Sequence, residues 1–279
     1  MNLYWLYNIP NWLFAAITIA AFSAFGICGL FLTRKLVKRL HQGDKSHNDI
    51  IGFYLSAVMV LYGITLGLVA AGTWTTFTSI QDKVSSEAQV IASIYRDVDS
   101  YKPPVKNQLR NDLEDYVHQV ITVSWPQQQK GIVPSGSGIY LDKFQKHLMA
   151  SQPQTLGEQV VQAEVFKQFN VLVEYRRARL NNVTTGLPSA IWCLVIFGGI
   201  ICIIVTLFFD TRSFLVHFWM TTLLSVLIGL MVFLVGTLDC PFRGTVSVTP
   251  APLQLVYDQL LKADKSTPAS DTTQPKDKL

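Results

Sequence analysis

The chain has 279 residues, of which 49% are hydrophobic and only 15% are charged, and its formal net charge at pH 7 is +4. A mean hydropathy of +0.29 is unusual for a soluble protein of this length and indicates a membrane protein. The positive charge forms no long basic run and does not alternate with aromatic residues, so we expect no nucleic-acid partner.

Four stretches are long enough to cross the hydrocarbon core of a bilayer, which takes about 20 apolar residues at a rise of about 1.5 Å each. None of the four contains Asp, Glu, Lys or Arg. The first is not a cleavable signal peptide, because no Lys or Arg precedes it and the run TRKLVKR follows it, so we expect it to remain as an anchor. The predicted transmembrane helices are residues 12–32, 50–72, 187–209 and 214–238.

The long segment between the second and third spans has the periodicity of amphipathic helices. Apolar residues repeat at spacings of three and four beyond residue 73, and no Pro or Gly interrupts the chain before the KPP sequence at 102–104. We therefore expect one helix from about Asp49 to Asp99. Its inward stripe would comprise Trp74, Phe77, Gln81, Val84, Ala88, Ile91 and Tyr95.

Three further helices are expected in this segment. The first covers 105–123 and ends at the Trp125-Pro126 step, with Leu109, Leu113, Tyr116 or Val117, and Val120 facing inward. The others cover 139–150 and 155–181. The last of these is expected to turn Val161, Phe166, Phe169, Val173 and Leu180 inward.

The predicted fold class is an all-α membrane protein with four transmembrane helices and a helical extramembrane bundle inserted between the second and third. An N-terminal segment covers 1–11, and the two membrane hairpins cover 12–72 and 187–238. The insert covers 73–186 and a post-membrane segment covers 239–261. The polar tail at 262–279, rich in Pro, Ser and Thr, is expected to be disordered.

Residues with special chemistry are scattered. Cys28, Cys193, Cys202 and Cys240 form no CxxC or Cys/His cluster, so they favour neither a disulfide framework nor a metal site. Nucleophile motifs and phosphate-binding loops of recognisable spacing are missing from the sequence, and we expect no cofactor and no enzymatic activity.

Small residues mark one face of the second span. Ser56, Gly63, Gly67 and Ala70 share this face, and two interpretations stay open. Small side chains let helix backbones pack closely, and they also leave room for a pore, where Thr65 and Thr73 would offer hydroxyl groups. The candidate pore lining is Ser56, Gly63, Thr65, Gly67, Ala70 and Thr73.

Charged residues gather next to the membrane segments. EYRRARL precedes the third span and TLDCPFRG ends the fourth, while two more charges lie on the long helix. These side chains would form ion pairs or a solvated face, or would bind an anion. TLDCPFRG is either a helix terminator or a functional neck. The candidate cluster is Glu87, Arg96, Glu174, Arg176, Arg177, Arg179, Asp239 and Arg243.

Six segments together resemble an uncharacterised bacterial membrane family called bestrophin-like. They are SHNDIIGFY (46–54), YGITLGLVAAGTW (62–74), VSSEAQVIASIYRDV (84–98), the LR at 109–110 with the SWP at 124–126, EYRRARLNNVTTGLP (174–188) and LDCPFRGTVSVTPAP (238–252).

The resemblance implies a distant similarity to bestrophins, which are pentameric anion channels with four spans and a helical insert. It implies a homo-oligomer, pentameric by analogy, embedded in the lipid bilayer and passing small anions. Pro241-Phe242-Arg243-Gly244 is close to the Pro-Phe-Gly stretch of bestrophins, but the acidic run that follows it there is missing. The central aromatic neck of the second span is not evident either, since Tyr62 is the only aromatic residue in the centre of that span.

The loops at 33–49 and 210–213 contain Arg34, Lys35, Lys38, Arg39, Lys45 and Arg212. By the positive-inside rule these loops face the cytoplasm, which places the insert and both termini on the periplasmic side of the inner membrane. Bestrophins have the opposite arrangement. Two hypotheses on function follow: an oligomeric anion channel, or a non-conducting scaffold or sensor that docks a protein through the insert.

Overall fold

The computed structural model describes residues 9–40, 47–211 and 213–261, and every regular element within these ranges is helical. The predictions for residues 1–8, for Lys45 and Arg212, and for the tail at 262–279 lie outside the described residues. The helices are α1 (Asn11–Leu40), α2 (His47–Val98), α3 (Val105–Gln119), α4 (Trp125–Gln129), α5 (Gly138–Ala150), α6 (Leu156–Asn181), α7 (Ser189–Leu207), α8 (Phe214–Asp239) and α9 (Ala251–Val256).

Four of the described helices are long and apolar enough to cross a membrane, namely α1, α2, α7 and α8. They coincide with the four predicted spans. The first helix continues to Leu40, two turns past the predicted span end at residue 32, because its Lys, Arg and Leu residues are all good helix formers. The second is a single helix of 52 residues that ends at Val98, shortly before the two prolines.

The predicted end of the third helix at the Trp125-Pro126 step is wrong. The chain passes through a π-helical turn, Val120–Ser124, and continues as α4 to Gln129. Proline breaks a regular α-helix because its ring meets the carbonyl four residues earlier, and the wider π turn relieves that conflict. A further helix, α9, and the π-helical residues Tyr257–Leu261 lie in the post-membrane segment, for which no helix was predicted.

The chain forms two compact units. Unit 1 comprises Met1–Ser79 and Thr185–Ser247, and unit 2 comprises Ile80–Thr184 and Val248–Leu279.

In unit 1, α1 and α8 pack antiparallel over most of their length. A Cβ atom on Gly229 would lie 2.8 Å from the Cα of Ile19, so the two backbones touch at this point. Phe14 meets Phe233 near one end of the pair, with ring centroids 5.6 Å apart, and Phe31 meets Phe214 near the other, at 5.4 Å. The glycines of α8 thus allow close helix packing.

The two remaining membrane helices are fixed to each other by polar contacts. The hydroxyl of Tyr62 on α2 donates to the carbonyl of Val195 on α7 at 2.9 Å. Its ring lies against Gly198, where a Cβ would come within 2.6 Å of it. Asn48, in the first turn of α2, bonds both the carbonyl and the N–H of Asp210 through its side-chain amide, at 2.7 and 3.0 Å. These contacts fix the N-terminal end of α2 beside the loop between α7 and α8.

Unit 2 is built around apolar stripes from several helices. The predicted inward residues of α3, Leu109, Leu113, Tyr116 and Val117, are all fully buried, and so is Val120 in the π-helical turn. On α2 the predicted stripe is buried except for Trp74 and Gln81, which are exposed.

The predicted inward face of α6 is displaced. Val165, Phe169, Leu172 and Arg179 are buried, whereas Val161, Phe166, Val173 and Leu180 are only partly buried. The buried residues recur at spacings of four, three and seven, so an arginine occupies a core position on this helix.

Candidate functional site

The small-residue stripe of α2 is open within the chain. Ser56, Gly63 and Gly67 are exposed, and a Cβ atom placed on either glycine would meet nothing within 4 Å. The hydroxyl of Ser56 donates to the carbonyl of Gly52 in the same helix at 2.8 Å. None of the described residues lies against this face, so close packing among them does not explain the stripe.

The other three candidate lining residues have different surroundings. Ala70 is partly buried and packs against the apolar core of unit 1. Thr73 is 5% exposed and donates to the carbonyl of Ala70 at 2.8 Å. Thr65 donates to Leu61 at 2.8 Å, and at about 100° per residue it lies nearly opposite Gly63 and Gly67 on the helix. The six predicted residues therefore do not form one continuous face.

A large side chain ends the open stripe. Trp74 lies seven residues after Gly67 and so shares its face of α2, and its side chain is 56% exposed. The Trp74 ring stacks on Phe77 with centroids 6.3 Å apart. The stripe thus runs from small residues to one bulky aromatic side chain.

Unit 2 contains a fully buried ion pair. Arg179 on α6 donates through Nε to Oε2 of Glu87 on α2 at 2.7 Å, and through Nη2 to Oε1 at 3.0 Å. Both side chains have no solvent exposure. Two parallel bonds of this kind are the strongest arrangement of guanidinium and carboxylate groups.

Three neutral side chains complete this buried cluster. The hydroxyl of Tyr116 donates to Oε1 of Glu87 at 2.6 Å, and the Nη1 group of Arg179 donates to Oε1 of Gln128 at 3.0 Å. The ring of Trp125 lies under the guanidinium, with 5.7 Å between its centroid and Cζ of Arg179. The cluster thereby ties together α2, α3, α4 and α6 by charge-assisted hydrogen bonds.

The protonation of this cluster follows from burial and charge. Burial, with the adjacent carboxylate of Glu87, raises the pKa of Tyr116 well above its usual value. Burial alone would lower the pKa of Arg179, but the charge and hydrogen bonds of Glu87 outweigh it and the pKa is raised. Tyr116 remains a neutral donor and Arg179 a cation whose charge is already balanced.

The other arginines and Glu174 lie apart from the ion pair. Arg176 is partly buried and donates to Oγ of Ser137 at 3.3 Å, while Arg177 and Glu174 are exposed. Arg96 is also exposed and donates back to the carbonyl of Ala92 in its own helix at 3.3 Å. Of the candidate charged residues in unit 2, only Glu87 and Arg179 meet in the core.

Asp239 ends α8 inside unit 1. Its carboxylate accepts a bond from the backbone N–H of Leu187 and another from Nε1 of Trp192 at 3.1 Å, so it sits at the start of α7. The positive end of a helix dipole favours a carboxylate in this position. Arg243 follows and is partly buried, and Gly244 has φ of 82°, the left-handed conformation that glycine allows.

The sequence matches the family model described as the Bestrophin-like domain over residues 20–253. The chain belongs to the bestrophin-like family. No curated protein matches it in sequence.

The fold of this bestrophin-like chain is similar to that of several crystallised membrane proteins. A Klebsiella pneumoniae bestrophin homologue carrying a leucine-to-threonine substitution aligns with a TM-score of 0.66 and 12% identity, over 90% of this chain and 98% of that one. The structure of the Klebsiella homologue phased with zinc gives a TM-score of 0.65 and 12% identity, over 91% and 99%. A membrane protein with a proline-to-alanine substitution gives 0.68 and 11%, over 91% and 99%. The shared property at these identities is the fold.

Sequence reasoning missed the neutral members of the buried cluster in this bestrophin-like protein. Tyr116 was expected only as an apolar core residue, and Gln128 and Trp125 lay beyond the predicted helix end. One signal was present in the sequence: Glu87 falls between Val84 and Ile91 on the inward stripe of α2. A carboxylate in such a position needs a cation and further donors.

Proposed function

We propose that this bestrophin-like protein forms a homo-oligomeric channel for small anions, lined by the open stripe of α2. The observation that supports the proposal is that the described residues bury α2 less than the other apolar helices. In its most apolar stretch 11% of the residues are buried, against 33% in α7 and in α8 and 17% in α1. Copies of α2 arranged around an axis would cover the helix and leave the stripe facing a central path.

The composition of the stripe suits conduction. Glycine and serine side chains occupy little volume, so facing copies leave a gap, and polar backbone groups lie close to that gap. The apolar stretch of α2 has no acidic residue that would repel an anion. Five copies are the number that the resemblance to bestrophins implies.

The arginines have a narrower role in this proposal than the sequence suggested. Arg179 is enclosed and its charge is balanced by Glu87, so it is not free to attract an anion. Arg176 and Arg177 have partly buried and exposed side chains, and they remain the candidates for anion attraction. We further propose that the segment at 73–186 is an extramembrane helical insert and that it and both termini face the periplasm, on the charge of the short loops.

The test is anion flux into liposomes that contain the purified full-length protein and an anion-quenched dye. Gly63→Leu places a large side chain on the proposed path and should lower chloride flux at least about tenfold. Ala57→Leu adds a similar side chain to an exposed position about 120° away on the same helix and should leave the flux unchanged. No flux from the intact protein, or equal flux from both variants, would reject the proposal.

A second candidate function is a non-conducting scaffold or sensor. It is favoured by three exposed apolar side chains in unit 2, Met149, Leu156 and Val160, which are 66%, 79% and 69% exposed. Apolar side chains of this kind can mark a docking surface. This alternative predicts no ionic current and a specific protein that co-purifies with the wild type but not with Leu156→Asp/Val160→Asp.

A further inference from the structure

Most of the positively charged residues described in unit 1 lie in the last two turns of α1, residues 33–40. Arg34, Lys35, Lys38 and Arg39 are four of the five lysines and arginines in the described part of this unit. The fifth, Arg243, follows α8 at the opposite end of the helix pair. We call residues 33–40 the cationic end of α1.

Arg34, Lys35 and Arg39 lie in two environments. The guanidinium of Arg34 packs over the ring of Phe214, 4.5 Å from its centroid, and this contact fixes it between α1 and α8. Lys35 and Arg39 are exposed and share one face with Leu32 and Leu36, which are 80% and 57% exposed. A helix face that combines exposed leucines with exposed cations matches the boundary between acyl chains and headgroups.

The depth of these residues supports the same boundary. The hydrocarbon core is about 30 Å thick and the headgroups add about 5–8 Å on each side. At about 1.5 Å per residue, Lys35 and Arg39 start about 4 and 10 Å beyond Leu32, where the apolar stretch ends. Side chains of a helix lean toward its N-terminus, so both cations reach back toward the phosphate layer.

We propose that the cationic end of α1 binds the headgroups of anionic phospholipids, with Lys35 and Arg39 as the contacting side chains. The charges at this end are complementary to such lipids, since among the described residues four cations outnumber the two acids of the adjoining chain, Asp49 and Asp210. Asp210 lines a small cavity together with Arg34 and His217, on the side of α1 away from the exposed face. Neither oligomerisation nor conduction is needed for this binding.

The test uses the full-length protein in neutral detergent, with dissociation constants for phosphatidylglycerol and phosphatidylcholine measured by native mass spectrometry. Each cation near an anionic surface favours binding by roughly fivefold, so with two contacting cations the wild type should prefer phosphatidylglycerol by on the order of 25-fold. Lys35→Gln/Arg39→Gln should abolish this preference. Raised salt should weaken it in the wild type.

The matched control removes two other exposed cations. Lys102→Gln/Lys130→Gln changes the net charge by the same amount in unit 2 and should keep the lipid preference of the wild type. Equal affinity of the wild type for both lipids would overturn the proposal, as would full preference in the Lys35/Arg39 variant. An equal loss in the control would also overturn it, because it would show an effect of net charge alone. A protein that binds these lipids but passes no anions would reject only the channel.

Discussion

In each of two regions of helix α2, residues seven positions apart lie on one face of the helix. The face is exposed in the first region and buried in the second. In unit 1, Gly63 lies seven residues after Ser56 and Gly67 four residues after Gly63, and no described residue packs against the two glycines. In unit 2, Val84, Glu87 and Ile91 recur at three and four residues, and this stripe is completely enclosed. The difference teaches that spacing identifies a face of a helix, whereas the rest of the chain decides whether that face is covered.

The largest loss of stability should follow from removing the buried ion pair of Glu87 and Arg179. Arg179→Ala leaves the carboxylate of Glu87 buried without its cation, and we expect a loss of about 3–5 kcal/mol in the free energy of unfolding. The measurement is reversible unfolding in mixed detergent micelles. Arg177→Ala, an exposed neighbour on α6, is the control and should change the stability by less than about 0.5 kcal/mol. Similar losses in the two variants would mean that the ion pair is not buried.

A pair of identical substitutions sharpens the contrast between covered and open glycines. Gly229→Ala places a Cβ atom 2.8 Å from the backbone of Ile19 and should destabilise the protein by about 1–3 kcal/mol. Gly63→Ala meets open space and should leave the stability unchanged or raise it by up to about 1 kcal/mol. Both variants are compared in the same unfolding assay, and a large loss of stability from Gly63→Ala would show that the stripe is packed against other residues of the chain.

The neutral side chains of the buried cluster should contribute less to the free energy of unfolding than the ion pair does. Tyr116→Phe removes the hydroxyl that donates to Glu87, and we expect a loss of about 1–2 kcal/mol because the carboxylate stays buried with one fewer donor. Tyr140→Phe, at a partly buried position on α5, serves as the comparison and should be close to neutral. If the two variants unfold alike, the hydroxyl of Tyr116 does not support the ion pair.

The smallest effect on stability should come from a partly exposed cluster of charges in unit 2. The hydrogen bond from Lys106, with the nearby Arg110, holds the pKa of Asp99 below its ordinary value of 3.8. Such a group stabilises the fold above pH 3.8, and the contribution is lost as the pH falls through the lower folded-state pKa. Asp99→Asn should cost less than about 1 kcal/mol at pH 7, because Asp99 is half exposed, and the cost should shrink as the pH is lowered toward 2. An undiminished difference at pH 2 would rule out ionisation as its source.

The sequence predicted most of the fold because local patterns determine it. Uncharged apolar stretches gave the four spans, and the two prolines after Tyr101 marked the end of α2. The continuation past Trp125 was not predictable, because a π turn that accommodates Pro126 has no local signature. Arg179 could not be assigned to the core either, because an arginine is buried only where a carboxylate from a distant segment meets it.

The candidate site was predictable only in part. The small residues of α2 were visible as a pattern, but the sequence could not distinguish packed glycines from open ones. That distinction needs the position of the neighbouring helices, as the contrast between Gly63 and Gly229 shows. Thr65 was included for its hydroxyl, although helix geometry places it on the opposite side from Gly63.

The most direct test of the central claim is whether water reaches the open stripe of α2 in the membrane. In a variant without the four native cysteines, Gly63→Cys and Ala57→Cys would be treated in liposomes with a charged, membrane-impermeant thiol reagent. The stripe lines an aqueous path if the cysteine at position 63 is modified and the one at position 57 is not. Protection of both positions, or equal modification of both, would contradict the proposed path.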